Sequence, residues 1–175
     1  MVREISSGGV VLREISDAWH VALIEPQKDN SATAKAPRKR GKAALALPKG
    51  LVDPGETAPV TAIREVQEET GIVADLIAKL ADIKYVYVRT WADGERVFKI
   101  VSFYLLRYRS GQIDDVTPEM RIEVKRALWV PLAEASQQLM YSNERKVLRL
   151  AEDYVATRGL QPENAAPSRS TAPKQ

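Results

Sequence analysis

Between Leu47 and Ile72 the chain reads LPKGLVDPGETAPVTAIREVQEETGI, and three of its glutamates are spaced for shared chemistry. At about 100° per residue, Glu65, Glu68 and Glu69 fall on one face of a helix, at i, i+3 and i+4. Like charges at that spacing destabilise a helix by about 0.2–0.5 kcal/mol per pair. Three carboxylates gathered without a basic partner therefore point to a hard divalent cation. Mg²⁺ retaining several waters suits them best, with Mn²⁺ as a substitute.

A helix over 57–70 would position these acids. Thr57 can act as N-cap, Pro59 stands in the first turn where its missing N–H does no harm, and Gly71 can end the helix at positive φ. Ala62, Ile63 and Val66 point away from the acids, towards a core. Gly50 and Gly55 flank Asp53-Pro54 in a turn-rich loop that lets backbone approach a ligand closely. An ion pair from Glu56 to Arg64, two turns along the helix, would tie loop to helix and leave Glu65, Glu68 and Glu69 free for metal.

Gly50, Glu56, Arg64, Glu65, Val66, Glu68, Glu69, Gly71 and Ile72 together fit the Nudix box: Gly, five residues, Glu, seven residues, Arg-Glu-apolar-any-Glu-Glu-any-Gly-apolar. Average residue usage meets nine such constraints by chance about once in 10⁹ starting positions. That outweighs the bland reading of a solvated acidic helix, which would be preferred for an isolated E-x-x-E-E. The chain thus resembles the Nudix hydrolases over these 23 residues. More loosely, the resemblance extends over most of residues 3–150. It implies an α/β class, the Nudix fold, an α/β/α sandwich with its metal helix against a mixed β-sheet.

The rest of the chain is compatible with that architecture. Its 175 residues suffice for one domain with a sizeable core, and an apolar fraction of 45% describes a globular protein. No apolar run is long enough to span a membrane, and the N-terminus lacks a signal-peptide layout. Cytoplasm is the default location. There is no cysteine, which excludes disulfides and thiol chemistry. Residues 27–43 hold six Lys/Arg against one Asp, a local charge of +5 in a chain of only +3. The last fifteen residues add +1, so the remainder stands near −3 and the basic character belongs to this insertion. It reads as a solvated loop, or as an electropositive flap for a polyphosphate or an RNA end. It lacks the interleaved aromatics of a nucleic-acid-binding module.

Residues 3–13 and 19–26 read as strands joined through ISDAW, with Ser7-Gly8-Gly9 marking a bulge or a close approach to substrate. His20 reads as a strand residue, facing solvent or its hairpin partner. After the box, 73–88 is strand-like, with Ile83, Tyr85 and Tyr87 on one side. Asp93-Gly94 signals a hairpin turn, and 96–109 returns as a strand. Residues 110–121 read as a loop, 127–132 as a last strand, then 132–140 and 142–157 as helices. In the second helix Val147, Leu148, Leu150, Ala151 and Tyr154 form a packing stripe. The division is a Nudix hydrolase domain over 1–160 and a disordered tail over 161–175.

LPKG at 47–50, KYVYVRTWADGERVFKIVSFYLLRY at 84–108 and EVKRALWVPLAEA at 123–135 resemble the bacterial diadenosine tetraphosphate hydrolase branch. That resemblance implies that Lys49, Tyr85, Tyr87 and Lys99 face phosphates and base. It also implies a further glutamate before the last strand, Glu123, with Glu119 competing. The implied metal set is the Gly50 carbonyl with Glu65, Glu68, Glu69 and Glu123. Glu69 or Glu65 serves as general base, with Arg64 and Glu56 supporting. Trp91 would cover a base or shield the turn. The implied substrate is a small-molecule dinucleoside polyphosphate, hydrolysed at a phosphoanhydride. Alternatives are oxidised nucleoside triphosphates, ADP-ribose, inositol pyrophosphates or triphosphorylated RNA ends. A different class is a non-catalytic nucleotide sensor, which the intact acids of the box disfavour.

Overall fold

The computed structural model describes residues 1–27 and 44–160; the basic insertion at 28–43 and the tail at 161–175 lie outside them. The strands are β1 (Val2–Ile15), β2 (Ala18–Pro26), β3 (Lys49–Leu51), β4 (Val73–Val88), β5 (Arg96–Ser110) and β6 (Val124–Pro131). The helices are α1 (Ala58–Thr70), α2 (Leu132–Gln138) and α3 (Ser142–Arg158). The sheet is mixed, ordered β4-β5-β1-β2-β6, with β1 and β5 parallel and β3 added antiparallel to the start of β1.

Period-two alternation along β1 and β5 sends side chains to two different helical layers. Val10, Leu12, Val101, Phe103 and Leu105 pack on one face with Val147, Leu148 and Ala151 of α3. Val11, Tyr104 and Leu106 pack on the other with Ala62 and Val66 of α1. The expected α/β/α sandwich is thus realised. Among the described residues, no helix is long and apolar enough to cross a membrane.

Local details depart from sequence expectation in instructive ways. Ser7-Gly8-Gly9 forms no bulge, since β1 and β5 pair without interruption from Val2 to Leu12. The close neighbours of these glycines are protein atoms: a Cβ on Gly8 would stand 2.4 Å from the Pro48 carbonyl, and one on Gly9 would stand 2.9 Å from Val66 Cγ2. Thr57 is extended and caps without its side chain; its carbonyl instead accepts from Thr61 N–H at 3.0 Å. Gly71 does take φ 83° as the helix ends, and a side chain there would meet the Asp115 carbonyl at 2.6 Å. Leu150 is exposed, because α3 turns only a narrow stripe to the sheet. The expected loop before the last strand contains a 3₁₀ turn, Glu119–Ile122, and β6 starts earlier, at Val124. His20 pairs across the β1–β2 hairpin with Arg13, as expected.

Candidate active site

The site grows from the short strand β3, which lies between α1 on one side of the sheet and α3 on the other. Two buried carboxylates project from α1 towards it, Glu65 and Glu69. The Glu65 carboxylate lies directly against Gly50. A Cβ there would stand 2.1–2.4 Å from its carboxyl atoms, so this strand position must be glycine for Glu65 to reach it. Glu69 Oε2 accepts the amide N–H of Lys49 at 3.1 Å.

Arg64 organises the acids. Its Nε and Nη2 each reach a Glu56 carboxylate oxygen at 2.8 Å, which confirms the ion pair between loop and helix. Nη2 also donates to the Leu51 carbonyl at 3.1 Å, joining β3 to the same hub. The Thr61 hydroxyl donates to Glu56 at 2.6 Å. The hydrogen bonds from Arg64 and then Thr61 hold the Glu56 carboxyl down at about 2.

One expectation about these acids fails. Arg64 Nη1 also binds Glu65 at 2.9 Å and Glu68 at 3.1 Å, so two of the three box glutamates have a basic partner. Among the described residues no three acidic or histidine side chains converge as a metal cage. The spacing placed Glu68 and Arg64 one helical turn apart, a geometry that favours an exposed ion pair whenever no cation competes.

Glu69 is different. Burial first, and the Glu65 charge second, push its carboxyl up to about 8, against the opposing pull of the Lys49 amide. Glu65 is also raised, chiefly by burial. The charge of Glu123 acts in the same upward direction on both. Glu119 and Glu123 are both exposed, at the start and just past the end of the 3₁₀ turn. These residues suit a hard divalent cation: the donors are all oxygens, two are buried carboxylates on one helix face, and a cation would offset the burial and repulsion that raise them.

The α3 side of β3 carries different chemistry. Lys49 donates from Nζ to Glu144 Oε2 at 3.2 Å and lies 5.2 Å from the Tyr141 ring centroid. Lys99 lies opposite Tyr85 in the β4–β5 ladder and opposite Glu4 in the β1–β5 ladder, with its ammonium 3.9 Å from Glu4. Burial, then the neighbouring Lys49 charge, lowers the Lys99 ammonium below its ordinary value. Tyr85 and Tyr87 share one face, their centroids 6.3 Å apart. Neither is a core residue. Tyr87 stacks parallel on Trp91 at 6.0 Å and donates its hydroxyl to Glu4 at 2.9 Å, while Tyr85 stays exposed.

Glu4, Thr61, Tyr141 and Glu144 join this constellation without having stood out in the sequence. Glu4 and Thr61 look like an ordinary strand acid and helix threonine. Glu144 sits in the charged run NERK, and nothing before the docking of α3 distinguishes it from its neighbours.

The sequence profile of the NUDIX domain matches residues 16–151. The chain belongs to the Nudix family. This Nudix chain is 38% identical to MutT4 of Mycobacterium tuberculosis over 157 residues, covering 88% of this chain and 56% of that protein. It is also 38% identical over 103 residues to the 8-oxo-(d)GTP phosphatase of Mycolicibacterium smegmatis, covering 59% of this chain and 28% of the phosphatase. It thus spans about half the length of the first relative and under a third of the second. A crystal structure of a Caenorhabditis elegans Ap4A hydrolase binary complex superposes with a TM-score of 0.62 at 21% identity. That match covers 88% of this chain and 98% of the other, and shows the Nudix fold.

Proposed function

We propose that the chain is a Mg²⁺-dependent pyrophosphohydrolase that uses water to cleave a phosphoanhydride of a dinucleoside polyphosphate. The observation that carries this reading is Lys49, whose amide donates to Glu69 of α1 while its ammonium faces the aromatic side of the sheet. Acid chemistry and substrate recognition therefore meet on one residue. On the aromatic side, Tyr85, Tyr87 and Trp91 and the exposed Tyr141 offer rings on which bases could stack, with Lys49 and Lys99 beside them. Two bases and an anionic linker are what a dinucleoside polyphosphate presents.

The Gly50 carbonyl with Glu65, Glu68, Glu69 and Glu123 would hold the metal, and Mn²⁺ could replace Mg²⁺. When bound, the cation neutralises the phosphate charge that otherwise repels a nucleophile. Glu69 is the favoured general base. Its carboxylate accepts only the Lys49 amide among the described residues, whereas Glu65 is engaged by Arg64. It would take a proton from the attacking water, a role contributing about 10²–10⁴ in rate. Lys49 and Lys99 would bear on the phosphate chain and stabilise charge on the departing phosphate. Arg64 and Glu56 keep β3 and α1 in register.

A second reading, an oxidised purine nucleoside triphosphate as substrate, is favoured by the identity to the mycobacterial 8-oxo-(d)GTP phosphatase. Incubation with Mg²⁺, a panel of both substrate classes and ¹⁸O-labelled water separates them. Faster release of two nucleotides from a dinucleoside polyphosphate supports the first reading. Preferential conversion of triphosphates to monophosphates replaces it with the second. Tight binding with no turnover under any divalent metal would make the chain a sensor.

A further inference from the structure

Glu144 is a buried acid that the chemistry above leaves unused. It lies in the first turn of α3, 97 residues from Leu47 and 95 from Lys49, and is only 3% exposed. Oε1 accepts the Leu47 amide at 2.6 Å and Oε2 accepts the Lys49 ammonium at 3.2 Å. A carboxylate taken out of water loses its hydration, and pairing and hydrogen bonds must compensate for that loss. Here a single backbone amide and a single lysine supply that compensation.

We propose that Glu144 is a positioning residue: from the far side of the sheet it fixes the Lys49 ammonium for the phosphate chain of the substrate. The geometry supports more than a staple between α3 and β3. An ammonium has three donors, and Glu144 occupies one, leaving two for substrate oxygens. Lysine carries its charge on a four-carbon stem with many rotamers, so an unanchored ammonium would spend little time at any one point. Glu144 removes that freedom before substrate arrives, and the Lys49 amide bond to Glu69 fixes the other end of the residue. A stack of two carboxylates, Glu144 from α3 and Glu69 from α1, thus holds one lysine by its tip and by its backbone. The inference rests on the hydrolase reading only in assigning Lys49 to phosphate.

The two oxygens of Glu144 separate the structural role from the positioning role. Glu144→Gln keeps an acceptor for the Leu47 amide but loses the charge and turns its amide NH₂ to Lys49. A double-mutant cycle with Lys49→Gln reads the coupling. The expected result is a fall in kcat/KM of about tenfold or more for Glu144→Gln in the wild-type background, and less than about twofold in the Lys49→Gln background. Equal falls in both backgrounds overturn the proposal, as does no fall in either. Melting temperatures monitor the fold. If Glu144→Gln does not fold, Glu144→Asp, which keeps the charge on a shorter stem, enters the same cycle. If neither folds while Lys49→Gln does, the role is structural and the proposal is overturned. Absence of turnover in the wild type counts against the hydrolase reading alone. The cycle is then read by calorimetric Kd for Mg²⁺-tripolyphosphate, with the same tenfold and twofold criteria.

Discussion

The amide of Lys49 donates to Glu69 Oε2 at 3.1 Å, across twenty residues of chain, and this bond joins β3 to the helix that carries the acids. It leaves Glu69 with a neutral backbone amide as its one polar partner among the described residues, whereas Glu65 is held by the charged Arg64 guanidinium and Glu56 by both Arg64 and Thr61. The asymmetry between the acids sets up the first prediction.

Glu69→Gln should lower kcat by about 10²–10⁴ with a smaller loss of Mg²⁺ affinity than Glu65→Gln shows, because Glu69 is assigned the base as well as one of five metal donors. Glu65→Gln should lower Mg²⁺ affinity as well as kcat. Magnesium titrations of both variants, followed calorimetrically and by initial rates, check the split. Equal loss of Mg²⁺ affinity in the two would remove Glu69 as base.

Gly50→Ala should separate activity from stability. The added Cβ would strike the Glu65 carboxylate, the far end of a flexible side chain, so the fold can survive while Glu65 is displaced. The expectation is a change in unfolding free energy of about 1 kcal/mol or less with a loss of at least tenfold in kcat/KM. Urea denaturation alongside kinetics measures both.

Arg64→Lys should not be conservative. The guanidinium serves Glu56 through two nitrogens and also reaches Leu51 O, Glu65 and Glu68, a set that one ammonium cannot span. A drop in the urea midpoint, and a greater one for Arg64→Ala, is the expected result. An unchanged midpoint would show that the hub does not support the fold.

Glu56 predicts a pH dependence of known sign. Its folded carboxyl is held at about 2, below its ordinary 4.5, so its contribution to stability is complete above pH 4.5. It is lost as pH falls from there towards 2. The gap in melting temperature between wild type and Glu56→Gln should therefore be widest near neutrality and close across that acid window. A gap that is constant with pH would show that Arg64 does not act on the Glu56 charge.

Much of the site could be read along one helix. The acid face of α1, the end at Gly71 and the Glu56–Arg64 pair all follow from offsets of three, four and eight residues, because helical periodicity converts local spacing directly into a shared face. The failure lay in the same segment. Spacing brought Arg64 beside Glu65 and Glu68 as readily as beside Glu56, and only the folded loop shows that its planar fork serves all three.

What the chain's order of residues determined was therefore the α/β layering, the acidic helix and its glycine stop, since each depends on periodicity and turn chemistry over a few residues. Tertiary structure alone decided that Glu144 would meet Lys49, that Tyr87 would rest on Trp91 and bind Glu4, and that Gly8 and Gly9 would face protein. Glu144 is 95 residues from Lys49 and Glu4 is 83 from Tyr87. Such contacts arise only when the sheet is assembled and α3 closes over it, and no local pattern encodes a partner at that distance.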